Sequence, residues 1–269
     1  MNRKIAVLAT ALALLTLTAC PAAQAGPVIE RIVANGTLTV GTSPSFPPLT
    51  AKAKNGMLMG FDIDMANILA GAMGVKLRFV TLPFPELLEA LNQDKVDVVI
   101  SGMTVLPKRN LRAVFVGPYL VGGQTVLGDN ALMAAINGRQ DLNDAKYKVA
   151  AAKGTTSQEA ARQMLPKAQL VIAENEGECL KLLLAKEVNM VMADYTFCAM
   201  AAFKHKAQNL AVIGKPFTFE PLGMAIKDGD PQFQNLLANF LVTFQGSGQS
   251  ELLQRRWFQD ASWIKELAE

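Results

Sequence analysis

Histidine and cysteine are scarce in this chain of 269 residues, which has one histidine and three cysteines. A protein-bound metal ion needs several His, Cys or carboxylate ligands at suitable spacing, and the sequence offers no such group around His205. The sequence therefore predicts neither a metal site nor a bound cofactor. A phosphate-binding loop of the type G-x-x-x-x-G-K-[ST] is also missing, so we expect no ATP hydrolysis by this chain.

Long apolar runs are lacking after the amino terminus. Residues 5–18 form an apolar stretch behind a basic start, which is the pattern of a secretory signal and too short for a membrane span. The tetrapeptide L-T-A-C that ends at Cys20 is typical of a lipobox, so we predict a signal peptide at residues 1–19 and lipidation of Cys20. Cleavage after Ala25, at an A-x-A site, is the alternative. Either site predicts export to the periplasm or the cell surface.

An excess of one charge is equally lacking. The chain has 26 Lys and Arg against 23 Asp and Glu. Because Arg3 and Lys4 lie in the export signal, 24 of those 26 basic residues remain in the mature protein. No cluster of basic residues resembles a nucleic-acid-binding surface, and we predict no nucleic-acid partner.

Two cysteines lie beyond Cys20. Cys179 and Cys198 can form a disulfide in an oxidising compartment. The alternative is that both are small buried hydrophobic residues on separate helices, and the sequence leaves the two possibilities open.

One sequence pattern occurs twice, at residues 91–102 and 183–194. In each copy the polar end of a helix leads into a short apolar strand, and Val96 and Val188 lie at the same distance after a leucine. Apolar strands bounded by polar residues are typical of strands buried on both faces, as in parallel sheets. Two such units predict two α/β lobes. Ligands of open α/β sheets bind beyond the carboxyl ends of the strands, which predicts a ligand cleft between the lobes.

The residues around each copy predict a βαβαβ order. Alternating or apolar runs predict the strands, and helical spacing predicts the helices between them. The predicted strands are residues 37–42, 75–81, 96–100, 148–152, 170–173 and 188–193, and the predicted helices lie between them, ending near residues 74, 94, 164 and 185.

Extended segments at residues 117–127 and 215–222 predict two crossings between the lobes, and two crossings make a hinge. A helical region at residues 231–258 is expected to pack back on the first lobe. We therefore predict lobe 1 from both chain ends and lobe 2 from the middle. The predicted limits are residues 27–119 and 216–269 for lobe 1, and 120–215 for lobe 2.

Polar side chains follow the predicted strands on both sides of the cleft. Gly102 permits close backbone approach, Ser101 and Thr104 offer hydroxyl groups, and Arg109 could bind a carboxylate as a bidentate fork. An arginine after a loop is also commonly a surface residue. In the second lobe, the helix that starts near Thr156 offers free N–H groups and a positive dipole end to an anion. An ordinary Ser or Thr cap is the alternative.

An acidic residue, Asp194, ends the last apolar strand and needs a partner, either a ligand ammonium group or an N–H group of the following helix. Phe46 and Phe84 lie in proline-rich loops, where they either line the cleft or fill their own loops. In combination, one cation, one helix amino terminus and one anion converge from two lobes. This set matches the carboxylate and ammonium groups of an α-amino acid.

Several spaced motifs between residues 36 and 258 carry a family resemblance. They are G-F-D-I-D at 60–64, V-D-V-V-I-S-G-M-T at 96–104, Arg109, G-P-Y at 117–119, K-G-T-T at 153–156, A-D at 193–194 and R-W-F at 256–258. With these motifs the chain resembles the bacterial extracytoplasmic solute-binding proteins of family 3, which are amino-acid receptors of ABC importers. The resemblance implies an α/β, two-lobe periplasmic-binding-protein fold (type II-like) with a two-segment hinge. It also implies a monomeric binding protein, not an enzyme, that meets a membrane permease with its ATPase.

The resemblance also implies a role for each motif residue. Arg109 would hold the ligand carboxylate with the Thr104 hydroxyl and the Thr156 N–H. Asp194 would take the ammonium group together with the Gly102 carbonyl. The remaining implied site residues line the cleft; they are Ser43, Phe46, Phe84 and Ser101.

Two departures from the family pattern bear on the ligand. Ser43 stands where receptors for basic or amide ligands often carry an acid, which favours a neutral amino acid, although Glu174 or Glu176 could supply a charge. The family's usual T-P-E-R is L-P-K-R here, and it keeps Arg109. Exported cyclohexadienyl (prephenate/arogenate) dehydratases resemble these receptors, and such an enzyme is the alternative. Its general acid would be Glu174 or Glu176.

Overall fold

The computed structural model describes residues 26–136 and 138–268. The signal peptide predicted at residues 1–19, the lipidation site at Cys20 and the alternative cleavage after Ala25 lie outside these residues. Within the described part of the chain, no helix is long and apolar enough to cross a membrane.

Strands and helices alternate along the chain, as the spacing of apolar residues predicts. The first part contains α1 (Pro27–Asn35), β1 (Thr37–Thr42), β2 (Ala51–Lys52), β3 (Leu58–Met59), α2 (Phe61–Met73), β4 (Lys76–Thr81), α3 (Leu87–Asn92), β5 (Val98–Val99), α4 (Pro107–Asn110) and β6 (Val114–Gly122). The middle part contains β7 (Gln124–Asp129), α5 (Asn130–Ala135), β8 (Lys148–Ala152), α6 (Thr156–Met164), β9 (Gln169–Ala173), α7 (Glu176–Leu184), β10 (Met190–Asp194), α8 (Tyr195–Lys204) and β11 (Leu210–Val212). The last part contains β12 (Glu220–Ile226), α9 (Pro231–Gly246) and α10 (Gln249–Gln254).

Two five-stranded sheets organise the molecule, and each forms one lobe with its helices. Lobe 1 has the strand order β4-β1-β5-β12-β6, and lobe 2 has the order β11-β7-β10-β8-β9. β1 is parallel to β4 and β5, and β8 is parallel to β9 and β10. β12 is antiparallel to both of its neighbours, and so is β7. The prediction of two α/β lobes is confirmed, but the sheets are mixed rather than purely parallel, because the strands that cross between the lobes join the sheets in the opposite direction.

Helices cover both faces of each sheet. In lobe 1, α1 and α2 bury Ile32 and Phe61 on one face, and α3 buries Leu87 and Leu91 on the other. In lobe 2, α7 and α8 pack on one face and α6 on the other. Burial on both faces accounts for the nearly continuous apolar composition of β5 and β10, which is the signal that the repeated pattern carries.

The helical carboxyl-terminal region packs on lobe 1, as predicted. α9 contacts β6 and α1, and α10 contacts α2. Beyond α10, the indole N–H of Trp257 donates a hydrogen bond to Asp64 of α2 at 2.8 Å. The rings of Phe258 and Phe61 are stacked with centroids 5.6 Å apart.

Two neighbouring segments connect the lobes. The chain leaves lobe 1 at the end of β6, passes through Gly123 into β7, and returns from β11 to β12 through residues 213–219. Gly122 and Glu220 are register partners across β6 and β12. A Cβ atom at Gly123 would overlap the carbonyl oxygen of Thr218, so the two crossings are in contact there. The crossings lie on the two predicted segments; the limits 119/120 and 215/216 between the lobes stay a prediction.

Candidate functional site

A small pocket lies between the lobes at the ends of the strands. Its lining residues come from both sheets and both crossings; they are Phe46, Phe84, Gly102, Thr104, Arg109, Gln124, Thr155, Thr156, Ser157, Glu176, Asp194, Glu220 and Leu222. The cavity volume is about 20 Å³, which is close to what one water molecule needs. An amino acid is larger than this cavity, so the lining residues must move apart before one can bind there.

Arg109, on α4 of lobe 1, reaches across the cleft. Its Nη1 donates to the carbonyl oxygen of Thr104 at 3.0 Å, and its Nη2 donates to the carbonyl oxygen of Gly154 in lobe 2 at 3.4 Å. The guanidinium carbon lies 5.4 Å from the ring centroid of Phe84. Burial lowers the pKa of Arg109, while the nearby carboxylates of Glu220 and Glu159 act in the opposite direction. A guanidinium has five N–H donors, and these two bonds leave three for a ligand.

The amino terminus of α6 faces Arg109 from lobe 2. Thr155 is the N-cap: its hydroxyl accepts a bond from the N–H of Gln158 at 3.4 Å and donates to the carbonyl oxygen of Ala152 at 2.7 Å. The N–H groups of Thr156 and Ser157 have no acceptor within the helix, as in the first turn of any helix. They lie at the positive end of the helix dipole, next to the pocket. The cap and the free N–H groups therefore occur together, rather than as alternatives.

Asp194 ends β10 and is the N-cap of α8. Its Oδ1 accepts bonds from the N–H and the hydroxyl of Thr196 at 2.9 and 2.7 Å, and its Oδ2 accepts a bond from the N–H of Gly123 at 3.0 Å. Burial raises the pKa of Asp194, and these hydrogen bonds oppose the rise. The sequence predicts either a ligand ammonium group or an N–H group of the following helix as partner of this carboxylate, and the structure contains the second of these. A carboxylate has about four acceptor positions, so one position on Oδ2 remains.

Ser43 and Ser101 lie behind the pocket rather than in its lining. The Ser101 hydroxyl accepts a bond from the N–H of Ser43 at 2.9 Å, and both residues are buried. Gly102 does line the pocket, with φ of 57°, and its N–H donates to Asp62 at 2.6 Å. A Cβ atom at Gly102 would approach the ring of Phe46 to 2.7 Å. The glycine therefore allows Phe46 to lie against the backbone that follows β5.

The aromatic rings of Phe46 and Phe84 both reach the pocket. Phe46 lies in the loop after β1, where its backbone pairs with Thr50. Phe84 begins a short 3₁₀ turn after β4. The structure therefore brings together seven of the nine residues predicted to bind the ligand. They are Phe46, Phe84, Gly102, Thr104, Arg109, Thr156 and Asp194.

Two polar residues of the crossing segments reach the pocket without a sequence signal that marks them. Glu220, at the start of β12, accepts bonds from the hydroxyls of Thr104 at 2.7 Å and Thr218 at 3.1 Å. Gln124, at the start of β7, donates from Nε2 to the Thr156 hydroxyl at 3.2 Å. The buried Oε1 of Gln124 has no hydrogen-bond partner among the described residues. Glu220 and Gln124 thus lie beside the predicted site residues Thr104 and Thr156 because of how their strands pair, which the sequence alone does not reveal.

Of the two candidate acids in lobe 2, Glu176 reaches the pocket and Glu174 does not. Glu174 is exposed and lies 3.4 Å from Lys153 in an ion pair. Glu176, the first residue of α7, is 8 % exposed. Burial raises the pKa of Glu176 to about 7, and the neighbouring charge of Asp194 adds to the rise.

Cys179 on α7 and Cys198 on α8 are both buried as free thiols. Burial raises the pKa of Cys179 to about 12 and that of Cys198 well above its ordinary value. Among residues 26–136 and 138–268, no three His, Cys, Asp or Glu side chains group as metal ligands.

Comparisons with known proteins find one matching family and several related proteins. Residues 38–260 match the family described as bacterial extracellular solute-binding proteins, family 3. The L-cystine-binding protein TcyJ of Escherichia coli K12 is 24% identical over 231 residues, which cover 86% of each chain. The cyclohexadienyl dehydratase of Pseudomonas aeruginosa is 25% identical over 260 residues, which cover 96% of this chain and 97% of that enzyme. A solved candidate binding component of an ABC transporter from Wolinella succinogenes, complexed with lysine, is 35% identical, with a TM-score of 0.83. The match covers 86% of this chain and 99% of that chain.

Proposed function

This chain belongs to family 3 of the bacterial extracellular solute-binding proteins, and from that membership we propose that it captures an amino acid between its lobes and delivers it to an ABC importer. The observation that supports this most directly is the pair of opposite charges in one pocket. Arg109 reaches in from lobe 1 and Asp194 from lobe 2. An α-amino acid carries the complementary pair of charges on neighbouring atoms.

The carboxylate of the ligand lies, in this proposal, between Arg109 and the amino terminus of α6. Arg109 offers its remaining N–H donors, and the N–H groups of Thr156 and Ser157 offer two more. The ammonium group lies against the free position of Asp194 Oδ2. The side chain of the ligand extends between the rings of Phe46 and Phe84.

Closure of the hinge completes the site, because its parts belong to different lobes. Lys108 of α4 and Glu159 of α6 lie 3.8 Å apart across the cleft, next to the contact between Arg109 and Gly154. Closure removes water from the charged groups, and such groups contribute net affinity only when their hydrogen bonds are well aligned. The bond from the Gly123 N–H to Asp194 links the ammonium site directly to a crossing segment.

A thermal-shift screen of the mature protein against the twenty amino acids and prephenate tests this proposal. A ligand at 100 times its Kd adds about 2.7 kcal/mol to the free energy of unfolding, which is a readily measured rise in Tm. A rise with one amino acid, or with a few related ones, is the expected result. No rise with any amino acid would contradict the proposal.

A dehydratase of the cyclohexadienyl type is the second candidate, and one observation favours it. Glu176 is a pocket carboxyl with a pKa of about 7, so a large fraction of it is protonated near neutral pH. A general acid works best when its pKa lies near the working pH. Turnover of prephenate by the purified protein, lost in Glu176→Gln and kept in Glu174→Gln, would establish the enzyme and displace the transport proposal.

We also propose that the protein acts as a monomer that is exported and anchored through lipidated Cys20. Family membership supports the extracytoplasmic location, and the lipobox supports the anchor. Expression of the full chain and of Cys20→Ser in a bacterial host, followed by membrane fractionation, tests the anchor. We expect the Cys20→Ser protein to leave the membrane fraction. An equal distribution of both proteins would favour cleavage after Ala25.

A further inference from the structure

The pocket has more acidic groups than a neutral amino acid can balance. Its lining contains one cation, Arg109, and three carboxyl groups, those of Glu176, Asp194 and Glu220. A neutral amino acid that pairs its carboxylate with Arg109 and its ammonium with Asp194 leaves Glu176 and Glu220 without a positive partner. Burying unpaired carboxylates is costly. Of the two, Glu220 already accepts two hydroxyl hydrogen bonds.

Glu176 is the carboxyl that lacks a partner. It is 8 % exposed, and no ion pair or hydrogen bond to another residue is formed by its side chain within the described part of the chain. Among the described residues, its carboxyl hydrogen-bonds to its own backbone alone. A second buried acceptor in the pocket, Oε1 of Gln124, also lacks a donor among the described residues. The ionised Glu176 carboxyl and Gln124 Oε1 can each accept a further hydrogen bond, which a donor group on a ligand would supply.

We propose that the ligand is an amino acid with a cationic side chain, and that Glu176 binds the side-chain ammonium or guanidinium group. This inference rests on the proposed transport function and adds the ligand class. The rings of Phe46 and Phe84 provide faces along which the extended side chain of such a ligand can lie, and aromatic faces attract cations. Ser43, whose identity favours a neutral ligand, lies outside the lining of the pocket.

The proposal couples binding to the loss of a proton from Glu176. The groups that face this carboxyl are Asp194, Arg109 and Glu220 across the pocket and the Cys179 thiol on its own helix. Because the pKa of Glu176 is about 7 before the ligand binds, a cation must displace the proton from the protonated fraction. Affinity for a cationic ligand should therefore weaken about 20-fold from pH 7.5 to pH 5.5.

Calorimetric titration tests the proposal. The unchanged mature protein and two variants are each titrated with lysine, arginine, glutamine and leucine. The test variant is Glu176→Gln, which keeps the shape of the side chain. The matched control is Glu174→Gln, which removes the same charge two positions away from a side chain outside the pocket. We expect lysine or arginine to bind most tightly and Glu176→Gln to weaken that binding at least about 30-fold. Glu174→Gln should bind like the unchanged protein, and the pH dependence of binding should be smaller in Glu176→Gln than in the other two forms.

Four results would overturn the inference. Tightest binding of a neutral amino acid, or equal lysine affinity in the unchanged protein and Glu176→Gln, would refute the cation role while leaving the transport function intact. Prephenate turnover that depends on Glu176 would assign the carboxyl to catalysis instead. Binding of no amino acid at all would remove the proposed function, and this inference with it. Circular dichroism of each variant shows that a loss of binding is not a loss of folding.

Discussion

Asp62 on α2 should make the stability of lobe 1 depend on pH. Its side chain is fully buried, and its Oδ2 accepts bonds from the Gly102 N–H at 2.6 Å and the Tyr119 hydroxyl at 3.1 Å. Its Oδ1 has no partner among the described residues. Burial raises the pKa of Asp62 from 3.8 to about 7. The two hydrogen bonds favour the ionised form, but they do not offset the burial.

The sign of the effect follows from proton binding. Between about pH 4 and pH 7 the folded protein holds a proton on Asp62 that the unfolded chain releases, so stability from this group falls as the pH rises. The pKa rises from 3.8 to about 7, and at about 1.36 kcal/mol per pKa unit the full difference is about 4 kcal/mol. Replacement by asparagine removes the titration and keeps an acceptor oxygen for Gly102 and Tyr119. As the pH rises from 4 to 8, the free energy of unfolding of Asp62→Asn minus that of the unchanged protein should therefore increase by about 4 kcal/mol.

Urea unfolding followed by tryptophan fluorescence measures this effect, because Trp257 and Trp263 both lie in lobe 1 near α2. Both proteins are unfolded at several pH values, and the difference in free energy is plotted against pH. A second variant, Tyr119→Phe, removes one donor to the ionised carboxylate and should move the transition to higher pH. A difference in the free energy of unfolding that changes by less than about 1 kcal/mol from pH 4 to pH 8 would refute the reasoning, since one pKa unit corresponds to about that energy.

The remaining predictions concern the cleft, the hinge and the thiols. Arg109→Ala should weaken ligand binding at least about 30-fold by calorimetry, because one partner of a buried charge pair is lost; an unchanged Kd would contradict the carboxylate role. Gly123→Ala should lower the free energy of unfolding by about 1–3 kcal/mol, because its methyl group overlaps the Thr218 carbonyl in a packed site. An unchanged urea midpoint would contradict this, because it would mean that the two crossing segments move apart without loss of stability. The Cys179 and Cys198 thiols should react with a thiol reagent only after unfolding, since both are buried with raised pKa values and thiolates are the reactive form; rapid labelling of the folded protein would refute this.

The sequence predicts the elements whose signals are local. Strand Thr37–Thr42 and strand Lys148–Ala152 lie at the predicted limits, because each alternates or is solidly apolar over its whole length. The helix stop at Gly74 is also local: the residue has φ of 67° and donates to the last carbonyls of α2. The prediction for strand 96–100 is too long, since only Val98 and Val99 pair as a strand. The apolar residues Val96 and Ile100 flank this strand because both are buried.

The part of the site that escapes prediction depends on pairing between distant segments. Glu220 reaches the pocket because β12 returns beside β6, and Gln124 reaches it because β7 lies against β10 opposite Asp194. Neither position has a local signal, since a strand has the same pattern whichever neighbour it pairs with. Glu176 and Glu174 are both plausible from the sequence. The N-cap at Asn175 separates them, because it places Glu176 in the helix and leaves Glu174 in the loop.

The register of β6 and β12 has a consequence for how the molecule can be divided. The chain departs from lobe 1 at Gly122 and returns at Glu220, and these two residues are paired across adjacent antiparallel strands. Topologically, lobe 2 is a guest inserted into the loop of a hairpin that belongs to the host, lobe 1. A two-residue turn of the Asn-Gly type could join such strand ends directly. For the same reason, lobe 2 could be replaced by another domain whose termini are equally close, without any change to the strand order of the lobe 1 sheet.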